Sequence, residues 1–131
     1  MLPMDIKEYL ATNKRPTRSK WGNIQTEYAG KVFMSKKEAD FARSLDSQKK
    51  AHKPAERVVS YETQVPFKIV VNGVPICRYI LDFKVLYADG HTEHIDVKAF
   101  NKRTSKFLST DTYKLKKKLV LACYGIDILE K

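Results

Sequence analysis

Tyr79-Ile80-Leu81-Asp82-Phe83 and His94-Ile95-Asp96-Val97-Lys98, joined through Ala88-Asp89-Gly90, decide how this chain is read. In an alternating strand Ile95 and Val97 face one side while His94, Asp96 and Lys98 face the other. Each run places an acid where a buried strand is ordinarily apolar. Taken as a three-residue hairpin loop with Gly90 left-handed, Ala88-Asp89-Gly90 pairs Tyr87 with His91, and the register then sets Asp82 directly opposite Asp96. Opposed residues have Cβ atoms ~5 Å apart, so two bare carboxylates there repel by roughly 3 kcal/mol at an effective dielectric of about 20. A hard divalent cation offsets that repulsion, because Mg²⁺ takes one or two carboxylates and completes its octahedron with water and phosphate oxygens. Lys98, two residues beyond Asp96 on the same face, stands where a lysine holds and polarises an attacking water.

Asp82 followed one hairpin later by Asp96-Val97-Lys98 resembles the PD-(D/E)XK nuclease superfamily, whose signature is an acid on one strand and Asp or Glu, any residue, then Lys on the next. Gly30-Lys31-Val32-Phe33-Met34-Ser35-Lys36-Lys37-Glu38-Ala39 upstream and Tyr113-Lys114-Leu115-Lys116-Lys117-Lys118-Leu119 downstream are similar to a family of small phage and prophage proteins in that superfamily, and the likeness runs over nearly the whole chain. It departs at Leu81, where proline commonly precedes the first acid. The resemblance implies an α/β fold with a restriction-endonuclease-like core, a mixed sheet whose central antiparallel hairpin is flanked by helices. It also implies a metal-dependent endonuclease that hydrolyses phosphodiester bonds in DNA, branched DNA included, in phage DNA metabolism. On that reading Asp82, Asp96 and the carbonyl of Val97 hold Mg²⁺ or Mn²⁺, and Lys98 activates water. Glu38 of the first helix supports the metal site, and Gln64 lies near it. Sequence pattern by itself leaves other α+β topologies open.

Composition fits such a partner. The 131 residues are 43% hydrophobic, enough for one core, and 25 Lys and Arg against 15 Asp and Glu give a formal charge of +10. That balance suits a polyanion. The bases cluster: Lys14, Arg15, Arg18 and Lys20; Lys102, Arg103 and Lys106; and Lys114, Lys116, Lys117 and Lys118. DNA contact is expected from Lys102, Arg103 and Lys106 in a loop and from Lys114, Lys117 and Lys118 on a helix. An anionic membrane fits less well, since no segment is an apolar span and no helix combines a broad apolar face with aromatic anchors. Cys77 and Cys123 form no Cys-x-x-Cys unit and read as reduced, buried thiols. Without a signal-peptide pattern, a cytoplasmic location is expected, the host's for a phage protein.

Along the chain, residues 1–20 read as a basic arm and 21–131 as one domain. Ile24 to Phe33 suggests a hairpin turning at Ala29-Gly30. Ser35-Lys36-Lys37-Glu38 is a capping box, predicting a helix to about Gln48. Glu38 has a structural reading as the box's third residue, but it also shares a stripe with Phe41, Ala42 and Leu45, and an inward carboxylate requires a partner. Val58 to Gln64 alternates as a strand that Pro66 should end. Phe67 to Val71, Asn72-Gly73 and Val74 onward form the strongest hairpin signal, with a type I′ turn and a bend near Pro75 to Arg78. Ala99 to Ser109 reads as a loop. Thr110 or Asp111 caps a helix to about Tyr124 that buries Leu115, Leu119 and Ala122, Gly125 ends it, and Ile126 to Leu129 supplies a last strand.

Other chemistries find little support. His91 and His94 face opposite sides of a strand, which spoils a zinc site, although His94 shares the face of Asp96 and is a candidate for contacting the phosphate or supporting the acids. No nucleophile elbow, phosphate-binding glycine loop or cysteine–histidine pair is present. The alternative from another class is a non-catalytic nucleic-acid-binding module on a nuclease-like scaffold. RNA remains open beside DNA, as do one or two ions, and cutting both strands of a duplex would favour a homodimer.

Overall fold

A computed structural model describes residues 24–131, so the basic arm lies outside the described residues. The chain divides into two compact units, Met1–Gln48 and Lys49–Lys131.

In the first unit, strands β1 (Thr26–Tyr28) and β2 (Lys31–Phe33) form an antiparallel hairpin. Its turn places Ala29 and Gly30 at φ +53° and +80°, the two left-handed positions of a type I′ connection. Helix α1 (Lys36–Gln48) follows, and the Glu38 amide donates to Ser35 Oγ at 3.1 Å as the capping box requires. Ala39, Ala42 and Leu45 make its buried stripe, and Tyr28 Oη donates to Asp46 Oδ2 at 2.6 Å, tying the helix to β1.

The second unit is built on a mixed four-stranded sheet in the order β3 (Val58–Val71), β4 (Val74–Tyr87), β5 (Thr92–Asp96), β8 (Ile128–Glu130). β3, β4 and β5 are antiparallel neighbours, while β8 returns parallel to β5 after helix α2 (Asp111–Tyr124). Such a parallel return needs a crossover, and α2 supplies it. Asn72 and Gly73, at φ +50° and +77°, make the expected type I′ turn between β3 and β4. The pairing slips between Ile69↔Cys77 and Val70↔Pro75, leaving Ile76 as the extra residue of a bulge where a bend was expected.

β3 does not end before Pro66. It runs on through Pro66, which pairs with Ile80, because β3 is an edge strand whose outward side needs no amide donor. The expected loop after Lys98 is also structured: β6 (Phe100–Asn101) and β7 (Lys106–Phe107) form a small hairpin, with the Phe100 and Phe107 rings edge-on at 5.3 Å.

Thr110 caps α2, its side chain accepting from the Tyr113 amide at 3.1 Å, and Gly125 at φ +69° closes it, its amide donating a hydrogen bond to the Leu121 carbonyl at 2.9 Å. The buried stripe differs from the expected one. Tyr113 and Val120 face inward, while Leu115 is 59% exposed and Ala122 is exposed. Tyr113, Lys117 and Val120 stand at i, i+4 and i+7, so the helix is turned to bring a tyrosine and a lysine against the sheet. The core joins Tyr113, Val120 and Ile128 to Ile69, Tyr79 and Leu81. Cys77 is half-buried and Cys123, expected inside, is exposed with its thiol toward the Val70 carbonyl; both are free.

Candidate active site

Gly90 adopts φ +94° and the Tyr87 amide donates to the His91 carbonyl at 3.0 Å, closing the three-residue loop between β4 and β5. The register that follows is Leu86↔Thr92, Val85↔Glu93, Lys84↔His94 and Phe83↔Ile95. One step further stand Asp82 and Asp96. The ladder stops before them, and the amide of Val97 donates to Asp82 Oδ2 at 2.9 Å. Asp82 therefore substitutes for a strand carbonyl and holds the β5 backbone at the end of the pairing.

Asp96 is 4% exposed, and its Oδ2 lies 2.8 Å from Lys98 Nζ. The same ammonium sits 3.6 Å from the centroid of the Tyr113 ring, a cation–π contact that bounds it on a second side. The main chain is clamped as well, since Lys131 donates to the Asp96 carbonyl at 3.0 Å and accepts from the Lys98 amide at 2.9 Å. This continues the parallel pairing with β8 past its formal end and fixes the span that carries Asp96, Val97 and Lys98.

Two tyrosines report on the acids. Burial first, then the negative charge of Asp96, pushes the Tyr79 hydroxyl well above its usual ionisation range, with Asp82 contributing. Tyr113 is raised in the same order, by burial, Asp96 and Glu130, again with Asp82 contributing. Both carboxylates thus bear on the same two hydroxyls. Tyr113 Oη also donates weakly to Glu130 Oε1 at 3.4 Å, and Lys117 Nζ pairs with that oxygen at 3.0 Å.

The remaining expected residues lie in several places. Gln64 takes the register position across from Asp82 on β3, between Thr63↔Phe83 and Val65↔Leu81, and adopts φ +55°, a left-handed conformation costing a non-glycine residue roughly 1–2 kcal/mol. His94 pairs in register with Ile128 and lies edge-on to Phe67 at 6.2 Å, its ionisation lowered by burial and by Lys84. Lys102, Arg103 and Lys106 are exposed on the β6–β7 hairpin, and Lys114, Lys117 and Lys118 line a cavity of about 330 Å³ with Leu121, Asp127 and Glu130. Glu38 belongs to the first unit, half-buried in the first turn of α1. Tyr79, Tyr113 and Glu130 escaped the sequence reading. Tyr113 was legible only as the start of the stripe through Lys117 and Val120, which a Leu-centred reading of α2 passed over.

The donor chemistry suits a hard cation. Asp82, Asp96 and the Val97 backbone offer oxygen alone, two carboxylates being within what Mg²⁺ ordinarily takes, with water and substrate completing the shell. Among the described residues no group of three or more His, Cys, Asp or Glu gathers as a metal cage. The Tyr79 hydroxyl is buried beside Asp96. Among the described residues no helix is long and apolar enough to cross a membrane.

No curated protein and no solved structure matches the chain. A family model described as a protein of unknown function, DUF1064, matches residues 18–126, a span that holds both aspartates, Lys98 and the whole of both helices. The chain belongs to the DUF1064 family.

Proposed function

We propose that the protein is a metal-dependent DNA endonuclease of the PD-(D/E)XK type, acting in phage DNA metabolism. The observation that carries this reading is the β4–β5 register, whose last pair, Phe83↔Ile95, stands one step before Asp82 and Asp96, together with Lys98 Nζ 2.8 Å from Asp96. A module that only binds polyanions gains nothing from a carboxylate pair that repels phosphate.

Asp82 and Asp96, with the Val97 carbonyl, would hold Mg²⁺ or Mn²⁺, and such an ion supplies charge stabilisation for the phosphate oxygens as the ester bond breaks. The chain's own groups do the rest. Lys98, confined between Asp96 and the Tyr113 ring, donates a hydrogen bond to the attacking water and orients its oxygen toward phosphorus. That oxygen forms the new P–O bond and releases a proton to solvent, the ester P–O bond opens, and the departing oxygen takes up a proton from solvent. Lys117 and Glu130 keep Tyr113 in place beside the ammonium. Exposed Lys102, Arg103, Lys106, Lys114 and Lys118 supply the phosphate contacts that position the strand.

The test is incubation with supercoiled and branched DNA in Mg²⁺, Mn²⁺ or chelator. Cleavage is expected only with metal, and Asp96→Ala and Lys98→Ala should each lose at least about a hundredfold in rate. Cleavage persisting in either variant removes the site. Metal-independent binding with no cleavage of any substrate favours the non-catalytic module instead.

A further inference from the structure

We propose that the β6–β7 hairpin is a stacking platform, on which Phe100 receives an unpaired nucleobase, so that the site takes DNA with a single-stranded segment beside the reacting phosphate; the identity of the polymer rests on the nuclease reading above.

Phe100 is 49% exposed, high for a ring that has an aromatic neighbour at hand. Phe107 meets it edge-on at 5.3 Å and is itself half-buried, so one ring props the other while a face of Phe100 stays open to solvent. An isolated two-stranded hairpin with such short strands is marginal in water. This one is pinned. The Leu108 amide donates to the Ala99 carbonyl at 2.7 Å at its base, the Arg103 amide donates to Asn101 Oδ1 at 2.9 Å in its turn, and Ser105 takes the left-handed position at φ +54°. The aromatic face is therefore presented by a preformed element.

Charge identifies what it meets. From Val97 to Thr110 the sequence contains no acid, and Lys102, Arg103 and Lys106 are all exposed on the hairpin. A basic surface with an open aromatic ring complements phosphates and a base face together, the combination that single-strand binding uses. A continuous duplex hides its base faces in the stack, leaving nothing for the ring to cover.

Position identifies where. Phe100 stands two positions after Lys98, about 7 Å of extended chain. Against a rise of about 3.4 Å per nucleotide in one strand, the stacked base lies roughly two nucleotides from the phosphate at Lys98.

The experiment measures binding of the full chain, with chelator present so that no cleavage intervenes, to a labelled single-stranded oligonucleotide and to the blunt duplex of the same sequence at one salt concentration. Phe100→Ala should weaken single-strand binding about tenfold and duplex binding less than about twofold, and Phe100→Trp should restore the preference. Fluorescence of 2-aminopurine in the single strand should be quenched by the wild type and by Phe100→Trp but not by Phe100→Ala. An equal loss on both substrates, or no loss on either, overturns the platform. Stacking without metal-dependent cleavage would remove the nuclease reading and leave the platform standing, whereas cleavage indifferent to Phe100 would do the reverse. Unchanged circular dichroism and melting in both variants confirm that the fold is intact.

Discussion

At the scale of single residues, Lys98 is defined by two neighbours, a carboxylate at 2.8 Å and an aromatic face at 3.6 Å. The carboxylate alone would leave a long, flexible stem to wander, and the ring removes that freedom. Tyr113→Phe keeps the face and Tyr113→Leu removes it. We expect the ring-current shift of the Lys98 ε-methylene signals to survive in the first variant and vanish in the second, with kcat about tenfold lower for Tyr113→Leu and KM little changed. His94 carries a pH signature. Its ionisation is lowered in the folded chain, by burial and then by Lys84, so below about pH 6.5 the unfolded chain holds the proton more tightly. Its contribution to stability is complete above that value and is lost as pH falls toward its folded pKa. The melting temperature of the wild type should therefore drop between about pH 7 and 5 by more than that of His94→Gln. The acids and the lysine were legible in the sequence because strand alternation and a glycine-closed loop fix register without reference to anything distant. Tyr79 and Tyr113 were not, because an aromatic in an apolar pattern looks the same whether its hydroxyl meets a carboxylate or nothing.

At the scale of elements, the turns and caps were the best-read features, since each follows from a local need for left-handed backbone or an amide acceptor. Asn72-Gly73, Ala29-Gly30, Ser35 and Gly125 all behave so. Thr110 does the same for α2, and Thr110→Ala is expected to cost about 1 kcal/mol, read as a lower denaturation midpoint at constant slope. What the sequence could not convey was tertiary. Pro66 breaks a strand only where its missing amide is needed, and nothing local reveals that β3 lies at a sheet edge. The rotation of α2 was hidden for a similar reason: Leu115 and Lys117 compete for the inward position, and the lysine takes it because Glu130 on β8 offers an ion pair at 3.0 Å. The β6–β7 hairpin was lost among polar residues, its only apolar signal being the spacing of Phe100 and Phe107.

At the scale of the molecule, a charge of +10 makes association with any polyanion a matter of counterion release. Binding measured across a salt series should give a steep log–log slope, and Lys102→Ala or Lys106→Ala should each flatten it by about one unit. An unchanged slope in both would place these lysines off the nucleic acid. The order of strands carries a different consequence, in time rather than in space. Because Lys131 grips the main chain on both sides of Val97, and because β8 reaches β5 only after α2 has been laid down, residues 128–131 must be made and docked before the span from Asp96 to Lys98 is braced. Arrested nascent chains that lack residues 127–131 should leave the Lys98 amide, whose acceptor is the Lys131 carbonyl, open to hydrogen exchange, and its full protection in such chains would show that the span sets without β8.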